Sequence, residues 1–230
     1  MPQFWNLGSL LFSSLQPNSI DCSNDSLLPD GHRPPATSTP KINHISSTSV
    51  LTIPSNSRCN KTNQSKCKDE ITVVVANCDG VTGKQSSIEN MLTSLNPDIF
   101  LAVKTKLDDS VYNAEFVPSH YVPFRKDRKR GGGGVLVATR ENIVAEPLPE
   151  FDVESELWWV KIFLVASKTL IVDVFYCPPD SSLECLHEFN TSLLKVRARY
   201  PDAVLKLGGD FNLPGIDWSS LSHIPSKAKK

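Results

Sequence analysis

Apolar and polar positions along this chain sort into three regimes. Residues 1–69 are crowded with Ser, Asn, Thr and Pro, as in Ser13-Ser14, Pro34-Pro35 and Ser46-Ser47-Thr48-Ser49, and show no sustained period. Such a segment buries too little apolar surface to offset its chain entropy, so we read it as a disordered leader. From Ile71 the pattern changes. Ile71 to Ala76 is a β-branched apolar run that predicts a buried strand. Thr82-x-x-Gln85 then has the spacing of a capping box, followed by Ile88, Met91, Leu92 and Leu95 at helical intervals. Pro97 closes that helix, and 98–103 predicts a second strand. A helix between two apolar strands is a βαβ-like unit.

Residues 119–176 read as strands. The segments 120–124, 134–139, 157–166 and 169–176 are separated by turn residues, with Ser167-Lys168 as a tight hairpin. Trp158 and Trp159 are adjacent, so they face opposite sides of their strand. Ser181-x-x-Glu184 predicts a second capping box, ahead of Leu183, Leu186, Phe189, Leu193 and Val196 at helical spacing and a stop at Pro201. The last strand predicted is 203–207. The pattern is α/β, with two mostly antiparallel sheets and outer helices.

Composition changes this picture little. The 230 residues carry a net charge of −1, which gives no global attraction to nucleic acid. Charge is local instead: residues 125–130 hold five basic groups and one acid, and Lys227, Lys229 and Lys230 end a short basic tail, 223–230. The run at 125–130 has three readings: a grip on a DNA backbone, a nuclear import patch or a solvated loop. None of the six cysteines forms a C-x-x-C pair, which argues against zinc and for a reduced, intracellular chain, nuclear or cytoplasmic. The apolar residues among the first fifteen lack a basic flank and a small-residue cleavage site, so they do not read as a signal peptide. No apolar run approaches a membrane span, and no protein partner is indicated.

Candidate chemistry concentrates at 207–214. There an apolar run ends in Gly208-Gly209 and is followed by Asp210 and Asn212, two residues apart. In a strand, positions i and i+2 share a face, so a carboxylate and a carboxamide would project into one cleft. The bland reading is a Gly-Asp turn. Two glycine clusters invite nucleotide-loop readings and fail them. Gly131 to Gly134 has no G-x-G-x-x-G after a strand, and Gly80-Val-Thr-Gly83-Lys84 is too short for a P-loop.

Several blocks occur in a recognisable order: Asn77-Cys78-Asp79-Gly80 after a strand, Lys104-Thr105-Lys106-Leu107, the basic and Gly-rich 125–135, Tyr176-Cys177-Pro178-Pro179, and Gly208-Gly209-Asp210-Phe211-Asn212-Leu213-Pro214-Gly215-Ile216-Asp217-Trp218. Together they resemble the endonuclease/exonuclease/phosphatase family, and most of all the endonuclease domain of non-LTR (LINE-type) retrotransposon polyproteins. The resemblance implies a partial domain over 70–222, folded as a four-layer α/β/β/α sandwich whose second sheet is incomplete in this chain. It implies Mg²⁺ as cofactor, DNA as partner and phosphodiester hydrolysis as reaction. It also implies roles: Asn77 at the metal, Tyr176 on the phosphate, and Asp210 and Asn212 positioning water and phosphate; in the first reading of the basic run, Arg125, Arg128, Lys129 and Arg130 grip the DNA backbone. Two departures stand against activity. Lys104 occupies the position of the family's metal-binding Glu, which leaves the metal ligand set unknown, and the family's terminal Ser-Asp-His block has no counterpart before Lys230. We therefore expect an impaired endonuclease. The alternatives are a non-catalytic nucleic-acid-binding remnant and a different family member, a phosphatase or a repair nuclease.

Overall fold

The structure is a computed structural model. It describes residues 70–128, 132–164 and 169–213, together with the backbone of short strands at 12–14, 47–54, 216–217 and 222–223. In chain order the strands are β1 (Phe12–Ser14), β2 (Ser47–Pro54), β3 (Glu70–Asn77), β4 (Ile99–Val103), β5 (Tyr121–Lys126), β6 (Val135–Arg140), β7 (Ala145–Pro147), β8 (Glu156–Phe163), β9 (Thr169–Tyr176), β10 (Val204–Asp210), β11 (Ile216–Asp217) and β12 (Ser222–His223). Two α-helices, α1 (Gln85–Leu95) and α2 (Leu183–Arg199), and two 3-10 turns, Asn113–Glu115 and Pro149–Phe151, complete the described elements.

The strands form two five-stranded sheets and one small hairpin. The first sheet runs β2-β3-β4-β6-β5, the second β1-β10-β9-β8-β7, and β11 pairs with β12. Both large sheets are mixed: the first is antiparallel in three of its four pairings, as expected, and the second in two of four. β3 and β4 are parallel because α1 carries the chain back between them, and β9 and β10 are parallel because α2 does the same. β8 and β9 are antiparallel from Phe163↔Thr169 onward, and the Ser167-Lys168 turn between them lies outside the described residues.

Period-two alternation assigns every strand residue to a layer. Odd positions of β3, β4 and β6 (Val73, Val75, Leu101, Val103, Val135, Val137) meet even positions of β8 and β9 (Val160, Ile162, Leu170, Val172, Val174, Tyr176) in the core between the sheets. The other face of the first sheet packs Val74, Ala76, Phe100, Ala102, Leu136 and Ala138 against Ile88 and Leu92 of α1. The other face of the second sheet packs Leu157, Trp159, Ile171, Phe175, Leu205 and Leu207 against Val196 of α2 and the partly buried Leu186, Phe189 and Leu193. Three cores separated by two sheets make a four-layer α/β/β/α sandwich. As expected for adjacent residues, Trp159 points into the α2 layer, and Trp158 packs against the core between the sheets.

Both helix starts differ from the capping boxes expected. A turn closed by Lys84 N–H on the Val81 carbonyl, with Gly83 at φ 78°, delays α1, so its N-cap is Lys84 and not Thr82. A second turn, Ser181 N–H on the Pro178 carbonyl, uses Ser181, so Ser182 becomes the N-cap of α2. Leu183, expected on the apolar face, falls in the first turn of α2 and is exposed, as is Leu95 at the end of α1. Ser192 takes a buried place on α2 instead, linking the Trp159 indole (Nε1 to Oγ, 2.9 Å) to the Phe151 carbonyl (2.7 Å).

Two segments of the leader form strands. Residues 47–54 run antiparallel along the outer edge of β3, from Ser47↔Asn77 to Pro54↔Glu70, and residues 12–14 run parallel along the outer edge of β10. The β-branched content of Thr48, Val50, Thr52 and Ile53 suits an edge strand, a signal masked by the Ser-rich neighbourhood. The rest of 1–69 lies outside the described residues.

Asp173 is a buried carboxyl in mid-strand. Its Oδ1 accepts the Gly208 amide at 2.8 Å, and its Oδ2 has no partner among the described residues. Burial pushes its carboxyl well above the ordinary value of 3.8, against the pull of the Gly208 amide. A raised folded value means that the native state binds the proton more tightly than the unfolded chain does. The associated stability is fully present below 3.8 and is lost as pH rises through the folded value. Asp173→Asn removes this dependence and keeps the acceptor for Gly208. Urea denaturation across pH should show the variant gaining on the native chain by about 1.4 kcal/mol per pH unit across that window. Parallel pH profiles for the two proteins would show that Asp173 does not titrate with folding.

Candidate functional site

The inward rows of β3, β9 and β10 converge at one end of the sandwich. Asn77 ends the row Val73-Val75-Asn77, and Tyr176 ends Val172-Val174-Tyr176. Asp210 ends the row of β10 that also holds Gly208, whose face looks onto Leu101 and Val75 of the first sheet. A Cβ at Gly208 would stand 2.6 Å from Leu101 Cδ1, so glycine here lets β10 lie close against the first sheet. That approach brings Asn77 Nδ2 within 3.1 Å of Asp210 Oδ2, a hydrogen bond between residues of opposite sheets. β10 runs through Asp210, three residues beyond the strand expected, which makes the carboxylate the last rung of the sheet rather than part of a turn.

Lys104 joins them from the first sheet. It follows β4, whose last residue, Val103, pairs with Asn77. Its φ of 53° is left-handed, as is the 56° of Lys106. A non-glycine residue pays roughly 1 kcal/mol for that conformation, so the surroundings must enforce it. Gly80 N–H donates to the Lys104 carbonyl, Thr105 N–H to Gly134 and Lys106 N–H to Gly133, which clamps the loop from both sides. The Lys104 ammonium lies 3.7 Å from Asp210 Oδ2 and 5.0 Å from the Tyr176 ring centroid. Only 24% of its side chain is exposed, yet it makes no hydrogen bond to any described residue.

The remaining pieces surround this centre. Asn212 turns away: at φ 46° its own amide caps Asp210 Oδ1 at 3.3 Å, and its Nδ2 donates to the Cys177 carbonyl at 2.7 Å. It thus ties β10 to the loop after Tyr176 instead of standing beside Asp210 on one strand face. Glu156, which the sequence reading missed, is the cross-strand neighbour of Tyr176 and is buried. It accepts the Gly134 amide at 2.5 Å and pairs with Arg128 at 3.0 Å. Its row, Glu156-Trp158-Val160-Ile162, carries the one signal that could have found it, an acid heading an inward-facing series. Gly133 is required beside it, at φ 58°, because a Cβ there would meet Glu156 Oε1 at 2.1 Å. Asp79 pairs with Lys106 at 2.6 Å, and that hydrogen bond holds its carboxyl below the usual value. Burial, with Asp210 and Glu156 adding to it, pushes the Tyr176 phenol up to about 12. The hydroxyl therefore stays protonated at any physiological pH, and it has no hydrogen-bond partner among the described residues.

Every carboxylate at this end is matched by a cation: Asp210 by Lys104, Asp79 by Lys106, Glu156 by Arg128. Mg²⁺ needs hard oxygen ligands in an octahedron, usually including one or two free carboxylates. Asn77 Oδ1 is a buried oxygen with no partner and would suit such an ion. Asp210 Oδ2, however, is shared by the Asn77 amide and the Lys104 ammonium, which repels a cation and cannot ligate one. The donor set does not fit Mg²⁺, and no group of three or more His, Cys, Asp or Glu that could hold a metal occurs among the described residues.

The basic run is largely engaged inside the protein. Arg125 pairs with Asp127 at 3.1 Å and donates to the Val111 and Asp108 carbonyls, and Lys126 is held by Asp152 and the Val153 and Ser155 carbonyls. Arg128 is half exposed beside Glu156. Lys129 and Arg130 lie outside the described residues, as do 214–215 and 218–221. No described helix is long and apolar enough to cross a membrane.

No protein-family model matches the chain, and no curated protein matches it. Solved structures do. The endonuclease domain of TRAS1, a telomere-specific non-LTR retrotransposon, is 15% identical with a TM-score of 0.47, over 61% of this chain and 58% of that one. The 3' phosphatase NExo from Neisseria, bound to product DNA hairpin, is 18% identical with a TM-score of 0.47, over 64% and 60%. AP endonuclease LMAP from Leishmania major is 17% identical with a TM-score of 0.42, over 54% and 46%. The chain spans about three fifths of the length of the first two. All three similarities are below 20% identity and cover part of each chain.

Proposed function

We propose that this end of the sandwich is a phosphodiester site of the endonuclease type, acting on DNA, of retrotransposon origin and impaired in Mg²⁺-dependent hydrolysis. One observation carries the reading. Asn77 Nδ2 and the Lys104 ammonium both approach Asp210 Oδ2, at 3.1 and 3.7 Å, and the same ammonium lies over the Tyr176 ring. Hydrolysis of a phosphodiester requires neutralising the phosphate and presenting a water in line. In this reading Asp210 would orient a water and the Tyr176 hydroxyl would donate to a phosphate oxygen, but the ion that would stabilise the leaving oxygen has no ligand set among the described residues. The alternative, a non-catalytic nucleic-acid-binding site, is favoured by the unspent donors of Lys104 and Tyr176.

Supercoiled plasmid incubated with this chain and Mg²⁺ should remain unnicked. Lys104→Glu should acquire Mg²⁺ binding, read by calorimetry, with little cleavage, because members of a catalytic unit are strongly non-additive. Robust nicking by the unaltered chain that disappears in Asp210→Ala would overturn the impaired reading and leave the phosphodiester site standing.

A further inference from the structure

The donor count at the centre of the cleft does not balance, and the imbalance has a direction. Lys104 brings three N–H donors on a side chain three-quarters buried. Its nearest anion, Asp210 Oδ2 at 3.7 Å, lies beyond hydrogen-bond reach and already accepts from Asn77. The ammonium is oriented by the face of the Tyr176 ring, which supplies attraction but no lone pair for it. The Tyr176 hydroxyl, kept protonated by a value pushed up to about 12, is a further donor with no acceptor among the described residues. The left-handed backbone at Lys104 is clamped through Gly80, Thr105 and Gly134, so the side chain leaves the loop in a set direction at some cost in strain. A partly buried ammonium with unmade hydrogen bonds, beside a phenol with an unmade one, is a site for an oxyanion.

We propose that Lys104 takes the electrostatic place of the divalent ion, and that this chain holds a backbone phosphodiester without metal, through the Lys104 ammonium and the Tyr176 hydroxyl. The proposal rests on the phosphodiester reading above. A monoanionic phosphate suits the cleft because the other acids there already have their own cations, Asp79 with Lys106 and Glu156 with Arg128. With Asp210 facing Lys104 at 3.7 Å, each described acid there has a cation, so the phosphate meets hydrogen-bond donors rather than a field of negative charge. Lysine also explains the lack of hydrolysis on the same footing. It neutralises charge as a point cation but coordinates neither the attacking nor the leaving oxygen.

The test uses thymidylyl-thymidine, which has a single phosphodiester and too little backbone to reach the basic run. It is titrated into the full chain by NMR, first in EDTA and then with excess MgCl₂, with thymidine as the control lacking phosphate. The unaltered chain is expected to bind the dinucleotide equally in both buffers and to bind thymidine far more weakly. Lys104→Met should weaken dinucleotide binding about tenfold, as loss of a charge-assisted hydrogen bond predicts, and Lys104→Arg should retain it in EDTA. Far-UV circular dichroism and urea midpoints confirm that each variant folds. Binding by the unaltered chain that requires Mg²⁺, or undiminished binding by Lys104→Met, overturns the lysine proposal and leaves the phosphodiester reading intact. Equal binding of thymidine and dinucleotide, or no binding of either by the folded native chain, overturns the phosphodiester reading itself.

Discussion

Gly209→Ala should cost about 3 kcal/mol or more of folding stability, a large share of the roughly 5–15 kcal/mol that holds a domain of this size together. Gly209 sits at φ 140°, a region that residues with a Cβ rarely enter, and pairs with Phe175 across β10 and β9. A Cβ there would stand 1.9 Å from the Phe175 carbonyl oxygen, a backbone atom that cannot move without breaking the ladder. The same rungs place Tyr176 opposite Asp210, so the substitution should also separate the two residues the cleft depends on. Gly132→Ala is the control, because a Cβ at Gly132 meets nothing within 4 Å and should leave stability within about 0.5 kcal/mol. Urea midpoints measure both. A Gly209→Ala protein as stable as the Gly132→Ala one would mean that β10 does not approach β9 as described.

The adjacent tryptophans should respond in opposite ways. Trp159 is fully buried in the α2 layer, and its indole N–H donates to Ser192, which in turn donates to the Phe151 carbonyl. Trp159→Ala should lose about 3–5 kcal/mol through the cavity left behind. Trp159→Phe should still lose about 1–2 kcal/mol, from the broken hydrogen bond and the smaller ring. Trp158 packs between the sheets with a buried indole N–H that has no partner among the described residues. Trp158→Phe removes that orphaned donor and should be neutral or stabilising. Thermal or urea unfolding of the two Phe variants settles the contrast, and equal losses would count against the assignment of the two faces.

The order of elements was open to sequence reading because each is written in a local period. Val73 to Ala76 and Ile99 to Val103 are apolar on both faces, since both faces are covered, one by α1 and the other by the second sheet. Ile88 and Leu92 at i and i+4 marked the buried side of α1. The blocks around Asn77, Tyr176 and Asp210 pointed to the four-layer fold through the family resemblance they carry, not through a local period. Helix starts were misplaced by two residues at α1 and by one at α2, because turns closed by Val81 and Pro178 compete for the residues a capping box would use.

Other features belong to the tertiary structure alone. Local pattern cannot show that a Ser-rich leader supplies strand 47–54, because an edge strand is recognised by the partner it meets, here β3. It cannot show that Asn212 ties the Cys177 carbonyl, nor that Glu156 lies opposite Tyr176, since both depend on register between distant strands. It cannot assign the basic residues, because whether Arg125 faces DNA or the Val111 and Asp108 carbonyls is decided by a loop more than ten residues away. Sequence by itself determined that a lysine, Lys104, follows the strand 98–103. Only the folded chain decided that its ammonium lies 3.7 Å from Asp210, over the Tyr176 ring. The physical reason is that charge and residue type are local properties, whereas distance, burial and the pairing of donors with acceptors exist only once both sheets are packed.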